Sequence, residues 1–231
     1  MASIDWRGEK FRSLLTHDDL SVIGEVQAMF HACQYLGVLL YYLGAAERPR
    51  KFPASISYTL SKGLPKYTFM SIWLAAWMRM LRLMLGTGHV YATVFTGQMV
   101  ATGVLTMFVY NEPEQGRFSD LVHFFGTGAY MVDHVVLLWL LNTRRAYCWS
   151  FFGSFGLMSL ALYWKKRICR RCALGPESET PREKWQEQLA AMAPGLRRQL
   201  WLAELTFMVF ENSLFTTFVS GMGSGLPELK A

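Results

Sequence analysis

The apolar positions of this chain fall into long, nearly unbroken runs instead of the spaced stripes that mark a half-buried helix or strand. Six runs stand out, over residues 21–43, 67–85, 89–110, 121–141, 147–164 and 200–219. Crossing the hydrocarbon core of a bilayer takes roughly 17 to 25 mainly apolar residues in a helix. The fifth run is the shortest and the second carries Arg79 and Arg82, so the pattern predicts five or six spans. The expected fold class is all-α: a polytopic transmembrane helical bundle with about six spans. Residues 1–20 read as an N-terminal interfacial segment and 21–164 as five spans. Residues 165–199 read as a basic loop with an amphipathic helix, and 200–231 as the last span and a tail.

The connections carry their own signals. "THDDL" supplies acceptors for the exposed amides at the start of the first helix. "AAERPRKFPASISYTLSKGLPKY" holds three prolines and several serines, and is expected to be ordered by turns and not by a helix. "GTG" at Gly86 to Gly88 closes a tight antiparallel hairpin. In "REKWQEQLAAMAPGLRRQL", Trp185, Leu189, Met192 and Leu196 recur at helical spacing among charges. That spacing predicts an interfacial helix lying on the membrane, ended or kinked by Pro194. The segment "MASIDWRGEKFRSLL" lacks the apolar core of a signal peptide and contains Asp5 and Glu9, unlike a transit peptide, so the first span is expected to act as the membrane address.

Polar residues inside the runs follow helical geometry. At about 100° per residue, Asp120, His123, Thr127, Tyr130 and His134 fall within an arc of about 80°. Asp133 lies off that arc, beside Gly126, and is expected to face another neighbour or the membrane edge. Gln27, His31 and Gln34 share a face of the first span, and His89, Thr93, Thr96 and Gly103 share one of the third. Glu204 and Glu211 lie two turns apart in the last. A charge at the centre of a bilayer helix costs on the order of 3 kcal/mol on insertion scales, so such residues turn inward. They either glue helices together or line a polar cavity. Arg79 and Arg82 either snorkel to the interface or hold a headgroup. Two carboxylates on one face need partners or protons.

Charge narrows the partners. Lysine plus arginine exceeds aspartate plus glutamate by 23 to 17, and the excess sits beside the runs in "ERPRK", "KKRICRR" and "GLRRQ". Anionic lipid headgroups match that placement; nucleic acid does not. Cys169 and Cys172 form a C-x-x-C with no second pair nearby, so no metal site is expected, and palmitoylation is an alternative to free thiols. No H-E-x-x-H, G-x-S-x-G or P-loop motif is present, so catalytic residues are not identified and no cofactor is expected. His17, Asp18 and Asp19 read as a helix cap.

Taken in order, "FPASIS", "GLPKY", Arg79, "SDLVHFFGTGAY" and "LAELTFMVFENSLFTTF" resemble the Frag/DRAM/Sfk family of six-span membrane proteins, which includes the FGF-receptor-activating protein and the damage-regulated autophagy modulators. The layout is most similar to its glycosylphosphatidylinositol (GPI)-anchor-remodelling branch. The matching places are Pro53 with Ser55 or Ser57, Pro65 with Tyr67 and Arg79, the His-x-x-Gly of His123 and Gly126 with Ala129, and Glu204. Glu211 stands where the family has Asn, and Asn212 follows it. The resemblance implies lipid handling, GPI-anchor remodelling or autophagy modulation in Golgi, endoplasmic reticulum or endolysosomal membranes. His31, His89, Asp120, His123 and His134 would line a cavity, Arg79 and Arg82 would hold a phosphate, and Glu204 with Glu211 would balance the charge. The family places both termini in the cytoplasm, whereas the basic first, third and fifth loops place them outside it under the positive-inside rule. The alternative is a non-catalytic accessory subunit of a large membrane complex, possible in the mitochondrial inner membrane, with protein partners and cardiolipin at its basic loops.

Overall fold

The computed structural model describes residue 11 and residues 14–47, 50–111, 116–141, 143–175 and 182–224. Helix α1 (His17–Tyr42) opens on a capping box: the Thr16 hydroxyl accepts the Asp19 N–H at 3.2 Å, and the Asp19 carboxylate accepts the Thr16 N–H at 2.8 Å. The acceptors expected in "THDDL" are this pair. A short helix α2 (Ile56–Thr59) interrupts the first loop, capped by Ser55. Helix α3 (Gly63–Thr87) ends where Gly88 takes φ 66°, a left-handed stop that glycine adopts without a side-chain clash. Helix α4 (Val90–Gly103) then returns and widens into a π-helical stretch (Val104–Val109). Helices α5 (Arg117–Leu140), α6 (Arg145–Arg171), α7 (Arg182–Ala191) and α8 (Pro194–Ser224) complete the order. No strand occurs among the described residues.

Each of the six apolar runs lies in a helix, to within a residue at its ends. Among the described residues three helices, α3, α4 with its π stretch, and α5, are long and apolar enough to cross a membrane. Helices α1, α6 and α8 have the length, at 26, 27 and 31 residues, but dilute their apolarity with polar groups. These are Glu25, Gln27, His31 and Gln34 in α1, the terminal "KKRICRR" of α6, and the arginines and glutamates of α8. Two boundaries differ from expectation. The basic stretch after residue 164 does not begin a loop: it continues α6 by two turns, because lysine and arginine are good helix formers. The first loop is not turns alone, since α2 forms there. The expected interfacial segment over residues 1–20 lies largely outside the described residues.

Helices α1 and α3 pack along each other, as do α6 and α8, and α4 and α5; α3 bridges to α4, and α1 to α8. Aromatic rings fill the centre: Phe30, Phe69, Trp73, Trp77 and Phe218 are fully buried, with Phe30 and Trp77 meeting edge to face at 5.0 Å. Gly103 lets Trp73 lie against α4, where a Cβ would collide with the indole. A second apolar cluster joins Trp185 of α7 and Met192 just after it to Ile168 of α6 and to Leu200 and Ala203 of α8. Pro194 ends the α7 stretch and starts α8, as a first-turn proline can. Outward, large apolar side chains stay exposed on several helices, among them Leu39, Val94, Phe125, Val132, Trp149 and Leu160. Such a surface is unusual for a protein surrounded by water.

Candidate functional site

Helix α5 packs on α4 but meets α6 and α8 only sparsely, and a passage runs along that side. Its mouth is a polar vestibule of about 150 Å3, to which α5 contributes Asp120 and His123 and the first loop contributes Ser55, Ser57 and Tyr58, with Tyr110 and Asn111 beyond the π stretch. Below it lies a narrower cleft of about 70 Å3. Its α5 wall is His123, Thr127, Tyr130, Met131 and His134; Phe69, Phe151, Leu214 and Phe215 face them. Ser57, Asn111 and His123 line both spaces, so the two adjoin. All five members of the polar stripe on α5 thus face the vestibule or the cleft.

The position of His123 follows from the π stretch. There the Tyr110 N–H bonds back five residues to the Leu105 carbonyl at 3.0 Å, and the Thr106 carbonyl instead accepts from His123 Nδ1 at 2.6 Å. A carbonyl only accepts, so the Nδ1 atom carries the proton, and in the neutral ring Nε2 keeps the lone pair. One turn on, Gly126 lies over the Thr106 methyl, which any Cβ at that position would strike. The His-x-x-Gly spacing therefore grips a single residue of the π stretch from two sides. His134 repeats the arrangement deeper in the cleft: its Nδ1 donates to the Tyr130 carbonyl at 2.7 Å. Its ring meets Tyr130 and Phe218 edge to face at 4.2 and 4.1 Å. The Tyr130 hydroxyl accepts the Trp73 indole N–H at 3.1 Å.

The two glutamates of α8 hold the first loop over this passage. Glu211 accepts the Ile56 N–H at 2.6 Å, the Ser57 N–H at 3.4 Å and the Ser57 hydroxyl at 3.3 Å. Glu204 accepts from Lys51 at 3.0 Å and from Lys165 of α6 at 3.1 Å. Asn111 adds a donor to the Ser57 carbonyl at 2.9 Å. The sequence signalled that the two carboxylates need partners. It carried no signal that Ser57 and Lys51, more than 150 residues away, supply them.

The remaining expected site residues do not join this passage. Arg79 and Arg82 lie toward the far end of α3, about 24 Å of helix from Gly63 beside the first loop. Arg79 pairs there with Glu25 of α1, and both side chains are half exposed. His89 caps α4, its Nδ1 accepting the Ala92 N–H at 3.2 Å, and meets Phe11 edge to face at 4.9 Å. His31 stacks on Tyr35, and its buried Nδ1 has no partner among the described residues. The expected cavity lined by four histidines, with two arginines holding a phosphate, is thus corrected: His123 and His134 line the passage, whereas His31, His89, Arg79 and Arg82 do not. Asp133 faces neither the passage nor the membrane edge; it is buried and meets Gln98 of α4. Gln34, also buried, donates to Asn212 at 3.1 Å. Cys169 and Cys172 are partly buried against the α6, α7 and α8 cluster, and among the described residues no group of three or more His, Cys, Asp or Glu is placed to hold a metal.

Fold and site together define an α-helical protein with, among the described residues, three helices able by length and composition to cross a membrane and a passage that changes from polar to apolar beside α5. No family model, curated protein or solved structure matches the chain.

Proposed function

We propose that this chain is a six-span integral membrane protein that binds a lipid in the passage beside α5, headgroup in the vestibule and an acyl segment in the cleft. The observation that carries the reading is the junction at Ser57, Asn111 and His123, where a polar space meets an apolar one as the two ends of a lipid require. The resemblance to lipid-handling and GPI-anchor-remodelling proteins agrees with it. The basic ends of α6 and α8, with α7 as an interfacial helix, would sit among anionic headgroups. By the positive-inside rule that face is cytoplasmic, in a secretory or endolysosomal membrane. An acyl chain gains little by leaving one apolar medium for another, so binding rests on the headgroup and on fit.

The test is native mass spectrometry of protein purified in mild detergent. The expected result is a retained lipid, lost when Thr127→Phe fills the cleft while the melting temperature is kept. A protein that retains no lipid and is stable only with partner chains would sink this reading and favour the accessory-subunit alternative.

A further inference from the structure

We propose that the vestibule selects a headgroup by its hydrogen-bond donors: a lipid carrying N–H or O–H groups, with His123 Nε2 as the principal acceptor. This rests on the lipid reading above and narrows it. Hydrogen-bond accounting around the vestibule carries the inference. His123 commits its Nδ1–H to the Thr106 carbonyl at 2.6 Å and offers Nε2 as an acceptor. Ser57 commits its hydroxyl proton to Glu211 at 3.3 Å, so its oxygen offers lone pairs. Asn111 commits one Nδ2–H to the Ser57 carbonyl at 2.9 Å and keeps a second N–H and its side-chain oxygen. Asp120, one helical turn before His123 in the same lining, adds a carboxylate. Ser55, Tyr58 and Tyr110 add hydroxyls that can donate or accept, so the group in this lining that a headgroup must meet with a donor is His123 Nε2, with the Asp120 carboxylate beside it. A headgroup that ends in acceptors alone, or in a quaternary ammonium with no N–H, leaves His123 Nε2 unpaired in a partly dry site. An ammonium or a hydroxyl pairs with it.

The experiment compares dioctanoyl phosphatidylethanolamine, phosphatidylglycerol and phosphatidylcholine, identical in their chains, by titration into the full-length protein in detergent. Ethanolamine supplies N–H donors, glycerol supplies O–H donors and choline supplies neither. The expected result is about tenfold tighter binding of the ethanolamine lipid, the glycerol lipid or both over the choline lipid. Preference for ethanolamine alone identifies an ammonium ligand; equal gains identify a hydroxyl-type donor as sufficient. In His123→Phe the preference disappears, the three lipids binding with equal affinity. If that variant does not fold, Asp120→Asn, at an exposed position, serves in its place and lowers the ethanolamine preference. Equal binding of all three lipids, or a preference that survives these substitutions, overturns the donor assignment and leaves the lipid reading standing. Binding of none of them overturns both.

Discussion

Gly126 is the tightest point of the candidate site, because its missing side chain is what allows the Thr106 methyl to lie against α5. Gly126→Ala should force α4 and α5 apart and lower stability by about 1–3 kcal/mol, the usual range for overpacking. Thr106→Ser removes the offending methyl and keeps the hydroxyl that bonds the Thr102 carbonyl at 2.7 Å. The double variant should therefore recover most of the melting temperature lost by Gly126→Ala alone, as read by thermal unfolding in detergent. Failure of that rescue would mean that the contact is not the cause. At this scale the sequence was informative where geometry is local. The spacing of Asp120, His123, Thr127, Tyr130 and His134 sufficed to align them, since one helix dictates their relative directions. It was silent on Thr106, because nothing in "VLTMFV" marks a π stretch, and the carbonyl that orients His123 belongs to another helix.

Among elements, the first loop depends on α8 more than on its own residues. Glu211→Leu would leave the Ile56 and Ser57 amides and the Ser57 hydroxyl without their acceptor, at a cost of about 3 kcal/mol for the buried donors together. Glu211→Gln keeps one carbonyl oxygen in place and should cost less, about 1 kcal/mol. The measurement is limited proteolysis of the first loop alongside the melting temperature. Leucine should expose the loop and glutamine should largely protect it; equal behaviour of the two variants would count against the anchoring role. Prolines and serines did reveal an irregular segment here, but a four-residue helix is too short to leave a periodic signal. The end of α6 was misread for the opposite reason. Apolarity stops at Trp164, whereas helical propensity continues through the basic residues, and the two criteria part there.

For the whole molecule, the six apolar runs and their helices correspond because a long apolar helix needs no tertiary information to be recognised. Which faces meet is another matter, since α1 pairs with α3, α6 with α8, and the passage opens where α5 leaves the latter two. His31, His89, Arg79 and Arg82 were polar residues in membrane-like helices, as were His123 and His134. Only the assembled bundle separates those that line the passage from those that cap a helix or pair at its other end.

The Glu204 bridge to Lys51 and Lys165 bears on how the chain is made. Both lysines emerge from the ribosome before their carboxylate, and so do the amides that Glu211 later accepts. Until α8 arrives, these lysines lack Glu204 and the first-loop amides lack Glu211. A nascent chain stopped before residue 194 should therefore be distinguishable from one that includes α8. In a pulse-chase experiment such a truncation should be cleared faster than the full chain, and supplying residues 194–231 as a separate polypeptide should slow its loss. Equal lifetimes with and without that fragment would show that the last helix is not what closes the fold.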